Sequence, residues 1–149
     1  MQPHRLRHVA LVAALLLLAL VFSPQPPFAL GQAAAPAASS RLAVVWTSGD
    51  PEVAHRVCLM YSHAARTARW FEEVQLVVWG PSARLLAADK DLQAKVKSMQ
   101  QDGVQVRACI VCADSYGVTA RLRELGIEVK AMGQPLTELI RQDWKVLTF

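Results

Sequence analysis

The chain from Arg41 onward predicts an α/β fold in which a parallel sheet is covered by helices on both faces. Short apolar runs alternate there with segments whose apolar residues recur at helical spacing. The first run, residues 42–46, is apolar throughout, as expected of a strand that is buried on both faces. Glycine, proline and aspartate separate these segments and indicate where each element begins and ends.

The first predicted helix follows the turn at residues 47–50. Asp50 can cap its amino terminus, and Pro51 suits the first helical position because its missing N–H would have had no partner there. The helix is predicted to end near Trp70. Its inward stripe is predicted from the apolar residues at helical spacing, which are Val53, Val57, Met60, Ala64 and Ala68.

The same alternation continues to the end of the chain. Four further strands are predicted at residues 74–79, 104–111, 127–131 and 145–148. Four helices are predicted between them, two of which cover residues 83–88 and 135–142. The other two are predicted from apolar residues at helical spacing. One contains Leu92, Val96 and Met99 and ends at Gly103, and the other contains Val118, Leu122 and Leu125 and ends at Gly126.

Charge and composition exclude two classes of protein. With 53% hydrophobic and 19% charged residues, the chain is not of the disordered class. From Arg41 onward there are fourteen basic and twelve acidic residues, a net charge of +2. This charge is too small to predict a nucleic-acid partner.

Residues 1–40 differ in composition from the domain at residues 41–149. Residues 1–31 combine a basic start, an apolar run at 9–22 and a proline-rich stop, which is typical of a secretory signal peptide. The run has about 14 residues, whereas a bilayer-spanning helix needs about 20. Export to the periplasm is therefore predicted, with a membrane anchor at residues 9–22 as the alternative. Residues 32–40, rich in Ala and Ser, are predicted to be a spacer.

The carboxyl ends of parallel strands meet at one edge of the sheet, and ligands bind there between the loops. The turns that follow the first four predicted strands should therefore lie together. Their candidate binding residues are Ser48, Gly49, Asp50, Gly80, Ser82, Asp114, Ser115, Tyr116 and Gly133.

Two of the three cysteines, Cys109 and Cys112, form a Cys-x-x-Cys segment at this edge. Cys109 is predicted to lie inside the third strand, where residues i and i+3 are about 10 Å apart. A disulfide needs Cα atoms within about 7 Å, so it would require the strand to end by about Ile110. Cys112 is the stronger candidate nucleophile, because free N–H groups and a helix start favour a thiolate at the predicted turn.

Simpler structural roles remain open for each of these residues. Cys112 can be a small residue at a tight turn, and Cys109 and Cys58 can be small core hydrophobes. His55 and His63 are expected at the surface, although either could approach Cys112 as a base. No metal is predicted, since no second Cys-x-x-Cys or His-x-His pair completes a zinc site, and no glycine-rich phosphate motif predicts a cofactor.

Five segments together resemble the DsrE/DsrF-like family of small sulfur-relay and related proteins. They are residues 44–51, 78–82, 108–118, 125–129 and 133–137, and the most specific is Ala-Cys-Ile-Val-Cys-Ala-Asp-Ser-Tyr-Gly-Val at 108–118. The resemblance implies a three-layer α/β/α domain with a mainly parallel five-stranded sheet, assembled as a homotrimer or homohexamer. In sulfur-relay members a cysteine carries sulfane sulfur as a persulfide, and Cys112 matches that cysteine by position.

The function predicted from the residues and the resemblance is that of a sulfur carrier or sulfurtransferase. Cys112 would bear the persulfide, Cys109 would serve as a resolving thiol, and the partner would be a protein or a small sulfur donor or acceptor. Two alternatives stay open: a thiol-redox protein with a reversible disulfide between Cys109 and Cys112, and a non-catalytic oligomeric binding module.

Overall fold

The computed structural model describes residues 40–149. The predicted signal peptide or anchor at 1–31, and the predicted spacer apart from Ser40, lie outside the described residues. No helix within residues 40–149 has both the length and the apolar character needed to cross a membrane.

A five-stranded sheet forms the middle layer, and all its strands run parallel in the order β4-β3-β2-β1-β5. The predicted α/β class, with helices on both faces of the sheet, is confirmed. The strands are β1 (Arg41–Trp46), β2 (Glu73–Val78), β3 (Gln105–Cys109), β4 (Glu128–Lys130) and β5 (Lys145–Thr148).

Helices connect the strands. The first connection contains α1 (Pro51–Val53), a π-helical turn (Ala54–Cys58) and α2 (Leu59–Thr67), which follow one another without a break. The others are α3 (Pro81–Ala88), α4 (Lys90–Gln101), α5 (Ile110–Ser115), α6 (Thr119–Glu124) and α7 (Gly133–Arg141).

The two faces of the sheet are covered unequally. One face, here called the closed face, carries side chains such as Val44, Leu76 and Ala108 and packs against the residues of α2 to α6 in the main core. The opposite face, here called the open face, has α7 as its helical cover: Ala43 packs against Leu139 and Trp144. Successive strand residues point to opposite faces, so each strand contributes to both.

The inward stripe predicted for the first helix is wrong at three positions, one of which, Ala68, is exposed just beyond the end of α2. Val57 is 42% exposed and Met60 is 57% exposed, while Ala54, Cys58 and Ala65 are fully buried against the sheet. The physical reason is the π-helical turn, whose wider i to i+5 spacing changes which residues face the sheet. The predicted cap is confirmed, because the Asp50 carboxylate accepts from the N–H of Glu52 at 2.7 Å.

Candidate functional site

The third strand ends earlier than the sequence predicts. Its last residue is Cys109, which has extended backbone angles and occupies the N-cap position of α5, so the helix begins at Ile110. Pairing with β4 ends at the same point, at Cys109 opposite Lys130. The prediction that β3 extends to residue 111 and delivers Cys112 to a turn is therefore wrong. Cys112 lies within the first turn of α5.

This helical start brings the two cysteines together. Residues three apart on a helix have Cβ atoms about 5 to 6 Å apart, in contrast to the ~10 Å expected along a strand. The Cys109 side chain lies near enough to that of Cys112 to raise the pKa of the Cys112 thiol, and both thiols are free. Cys109 is buried, whereas Cys112 is partly exposed. The accessible sulfur is therefore that of Cys112, with Cys109 directly behind it.

The surroundings of Cys112 keep its thiol protonated. Burial raises the pKa of the Cys112 thiol, the N–H of Gly80 lowers it by donating to the sulfur, and the neighbouring Cys109 raises it again, with a net upward shift. The amides after Cys112, which the sequence predicts as anion donors, have partners within the helix end: the N–H of Tyr116 donates to the Cys112 carbonyl and that of Val118 to the Ala113 carbonyl. The Gly80 amide is the donor that acts on the sulfur.

The turns predicted to share the carboxyl edge do meet there. A Cβ atom at Gly49 would lie 3.1 Å from the Cβ of Pro81, which brings the first and second turns into contact. Gly80 of the second turn contacts Cys112, and Met132 of the fourth turn packs with both cysteines. The site therefore contains residues from all four turns.

Three of the predicted binding residues use their side chains to build the turns. Ser48 accepts from the Asp50 N–H at 3.1 Å, and Asp50 caps α1. Ser82 is fully buried and donates to the Trp46 carbonyl at 2.6 Å. The first two contacts hold the first turn and the start of α1 together, and the Ser82 bond anchors the second turn to the end of β1.

The other predicted binding residues lie at the end of α5 and at the start of α7. Asp114 accepts a short hydrogen bond from Thr119, and Ser115 donates to the Cys112 carbonyl at 2.8 Å. Tyr116 is 36% exposed, and the Arg84 guanidinium lies 5.3 Å from its ring centroid. Gly133 begins α7 and has open space where a side chain would extend.

Neither histidine proposed as a base contacts a cysteine within residues 40–149. His63 lies 2.6 Å from Asp102 and 2.8 Å from the Lys95 amine. His55 lies 3.9 Å from Asp89. Within the same residues, no group of three or more His, Cys, Asp and Glu side chains is placed to hold a metal ion.

A polar row on the open face is absent from the sequence-based predictions. Arg107 on β3 donates to the side-chain oxygen of Gln75 on β2 at 2.7 Å and to the Glu128 carboxylate on β4 at 2.8 Å. Lys130 also pairs with Glu128 at 2.7 Å, and these two cations, Lys130 first, hold the pKa of Glu128 below its usual range. Polar side chains inside predicted buried strands were the signal in the sequence that could have revealed this row.

Comparisons with known proteins agree with this architecture. A conserved protein of unknown function from Bacteroides thetaiotaomicron, BT1422, is 30% identical, with a TM-score of 0.72 over 77% of this chain and 99% of its own. The YchN protein of Escherichia coli is 19% identical, with a TM-score of 0.57 over 73% of this chain and 99% of its own, a likeness of fold. No curated protein sequence matches the chain. The family model of the DsrE/DsrF-like proteins matches residues 40–149, and the chain belongs to that family.

Proposed function

We propose that the protein is a sulfur carrier that holds sulfane sulfur as a persulfide on Cys112, with Cys109 as the resolving thiol. Family membership supports the general class, because DsrE-like proteins are associated with sulfur relay. The observation that carries the proposal is the position of Cys112. It is the partly exposed cysteine of the three, and its sulfur contacts both the Gly80 N–H and the Cys109 side chain.

Loading is a sulfur transfer to the Cys112 thiolate. With thiosulfate as donor, the thiolate attacks the outer sulfur, the sulfur–sulfur bond of thiosulfate breaks, and sulfite leaves with the bonding pair. The product is a persulfide anion on Cys112. The Gly80 N–H lowers the pKa of the Cys112 thiol and so favours the thiolate that attacks the donor.

Release can follow two balanced routes. A thiolate of the acceptor attacks the outer sulfur of the persulfide, takes that sulfur and leaves Cys112 as a thiolate. Alternatively, the Cys109 thiolate attacks the inner sulfur, forms a disulfide between Cys109 and Cys112, and expels hydrosulfide. The second route needs the contact between the two sulfur-bearing side chains that the start of α5 creates.

Mass spectrometry of the protein incubated with thiosulfate tests the proposal. We expect a gain of about 32 Da, one sulfur atom, that dithiothreitol removes. Cys112→Ser should abolish the adduct, whereas Cys58→Ala should retain it because Cys58 is fully buried. An adduct that persists in Cys112→Ser would overturn the assignment of this residue.

A thiol-redox function is the second candidate, and the N-cap position of Cys109 favours it. Redox Cys-x-x-Cys motifs place their first cysteine at a helix amino terminus, as α5 does here. Oxidised glutathione would convert the dithiol to a disulfide and leave as two reduced molecules. Alkylation before and after reduction detects that disulfide. Cys109→Ser separates the candidates, because a persulfide carrier keeps its thiosulfate adduct while a redox protein loses its disulfide.

The surroundings of Cys112 support contact with another protein. Val111, beside it on α5, is 69% exposed, and Tyr116 lies at the end of the same helix. We therefore include a partner protein, as sulfur acceptor or donor, in the proposal. We also propose that the chain assembles as a homotrimer or homohexamer. Light scattering of the purified protein measures the oligomeric state.

Export is the remaining part of the proposal, with residues 1–31 as the leader. Amino-terminal sequencing of the protein from a periplasmic fraction tests it.

The non-catalytic binding module is the third candidate. Full retention of the cell phenotype by the Cys109→Ser, Cys112→Ser double variant would favour it over the persulfide carrier and the thiol-redox protein.

A further inference from the structure

A cleft of about 360 Å³ lies on the open face, separate from the cysteine pair. Its floor is formed by residues in the amino-terminal parts of β1, β2 and β3 and by Lys130 at the end of β4, and α7 and Trp144 form its other walls. The polar row contributes Gln75, Arg107 and Lys130 to the floor. A cleft of this volume is at the lower end of the range that holds small metabolites.

Two residues in the walls of this cleft each carry a buried hydrogen-bond donor without an acceptor among residues 40–149. The donors are the side-chain nitrogen of Gln75, a residue that is 1% exposed, and the indole nitrogen of Trp144, which is 8% exposed. The orientation of the Gln75 amide is fixed by chemistry. The Arg107 guanidinium only donates, so the Gln75 oxygen faces it and the nitrogen is left without a partner. Buried polar groups are nearly always satisfied, so two such donors in the walls of one cleft indicate an acceptor that enters it.

The cation that favours an anionic acceptor in the cleft is Arg41, because Arg107 and Lys130 are both paired with Glu128 and Arg41 has no carboxylate partner among residues 40–149. Three cations line the cleft, Arg41, Arg107 and Lys130, against two carboxylates, Glu73 and Glu138. The Arg41 guanidinium lies 5.3 Å from the centroid of the Trp144 ring, so a cation stands beside one of the two unpartnered donors. Arg41 donates one hydrogen bond within the described part of the chain, to the Gln142 carbonyl at 2.6 Å, and a guanidinium has five N–H groups.

We propose that this cleft is a second binding site, for a small organic acid whose carboxylate accepts hydrogen bonds from Gln75 and Trp144. Arg41, stacked on the indole, supplies the charge that selects a carboxylate over a neutral amide. Arg107 holds the Gln75 amide in the binding orientation. Arg107 of this site lies on the same face of β3 as Cys109, two residues closer to the amino end of the strand. The site itself uses no sulfur chemistry.

Nuclear magnetic resonance of the ¹⁵N-labelled protein observes the Trp144 donor directly. The probes are succinate, L-glutamate, and succinamide as the neutral isostere. We expect the indole N–H signal of Trp144, identified by its loss in Trp144→Phe, to move saturably with succinate or L-glutamate and not with succinamide. L-Glutamate binding more tightly than succinate would identify an amino acid, with its ammonium group near Glu73 or Glu138. The reverse order would identify a simple carboxylic acid.

A matched pair of variants tests the role of Gln75. Gln75→Glu keeps an oxygen for Arg107 but replaces the donor by a second carboxylate oxygen, and we expect the affinity for succinate to fall at least about tenfold. Gln105→Glu makes the same change at the residue opposite it on β3, which also lines the cleft, and should alter the affinity by less than about threefold.

Three outcomes would overturn the proposal. One is the absence of any shift of the Trp144 signal at millimolar concentrations of both acids. Another is an equal loss of affinity in the two variants. The third is broadening of the Trp144 signal with protein concentration alone, which would show that a second copy of the chain covers the cleft. Cys112→Ser should bind succinate as the wild type does, so failure of the persulfide proposal leaves this test intact.

Discussion

The two faces of the sheet show how the domain separates stability from chemistry. On the closed face, side chains from β1 to β4 and five helices form one continuous apolar core. On the open face, Gln75, Arg107 and Glu128 form a polar row beneath α7, and the buried Gln75 nitrogen has no acceptor within residues 40–149. An unsatisfied buried donor costs about 1 to 3 kcal/mol. The closed face provides the stability that makes this cost tolerable.

The cysteines show the same contrast. Cys58 packs on the closed face, is fully buried, and burial raises the pKa of its thiol to about 12. Cys109 and Cys112 pack with Val77 and Met132 at the carboxyl end of the open face, where the Cys112 sulfur reaches solvent. The same side chain is a small hydrophobe in one place and a candidate nucleophile in the other.

The largest change in the free energy of unfolding that we expect comes from shortening a buried side chain on the closed face. Leu76→Ala removes a fully buried side chain of the central strands and should lower the free energy of unfolding by about 2 to 5 kcal/mol. The control is Leu147→Ala on strand β5, where the side chain is 38% exposed, with an expected loss of about 1 kcal/mol. Urea unfolding of both variants measures the difference, and equal losses would contradict the contrast between the covered core and the sheet edge.

Alkaline pH should destabilise the protein through Cys58. Its folded-state pKa of about 12 lies above that of an unfolded thiol, so its contribution to stability is complete below pH ~9 and is lost as the pH rises towards 12. The expected slope from this group is about 1.4 kcal/mol per pH unit in that window. Unfolding of wild type and Cys58→Ala between pH 8 and 11 should give curves that converge. Parallel curves would show that Cys58 does not titrate in this way.

The polar row can be tested by converting it to an apolar one. Arg107→Met leaves the Gln75 oxygen without its donor and should cost about 1 to 2 kcal/mol in unfolding free energy. Adding Gln75→Leu removes the orphaned amide and should restore most of that loss. A double variant that is less stable than Arg107→Met would mean that the row contributes net stability.

The smallest effect concerns the reactivity of Cys112. The raised pKa of its thiol predicts that alkylation by iodoacetamide accelerates as the pH rises above the ordinary thiol range. Since Cys109 contributes to the raised pKa of the Cys112 thiol, Cys109→Ala should lower that pKa and raise the alkylation rate of Cys112 at pH 8. Peptide mass spectrometry measures the rate, with buried Cys58 as the unreactive internal control. A slower rate in Cys109→Ala would contradict this account of the pair.

The sequence predicts those features that follow from local pattern. Short runs rich in apolar residues located all five strands, and Asp50 and Pro51 located the start of the first helix. The end of β3 could not be predicted, because Ile110 and Val111 continue an apolar run that fits a buried strand or a helix equally well. What ends the strand is the end of pairing with its neighbours, at Ala108 with β2 and at Cys109 with β4, which is a tertiary property.

Two other features were beyond the pattern for similar reasons. The π-helical turn at Ala54–Cys58 changes the inward face of the first helix, and an average helical period cannot reveal it. The cleft depends on Trp144 and Gln75 lining the same space, although they are nearly half the chain apart in the sequence. Only the polar side chains within the predicted strands hinted at it.

The strand order also sets the sequence of events in folding. β1 lies between β2, which follows it closely in the chain, and β5, whose Val146 pairs with Ala43 across almost the whole domain. Closing so long a loop is slow compared with forming the local β1 to β3 units. Until β5 docks, one side of β1 presents unpaired N–H and C=O groups to other chains. Docking of β5 then pairs that side of β1 and leaves a strand of only four residues as the edge of the sheet, which shortens the edge open to other chains.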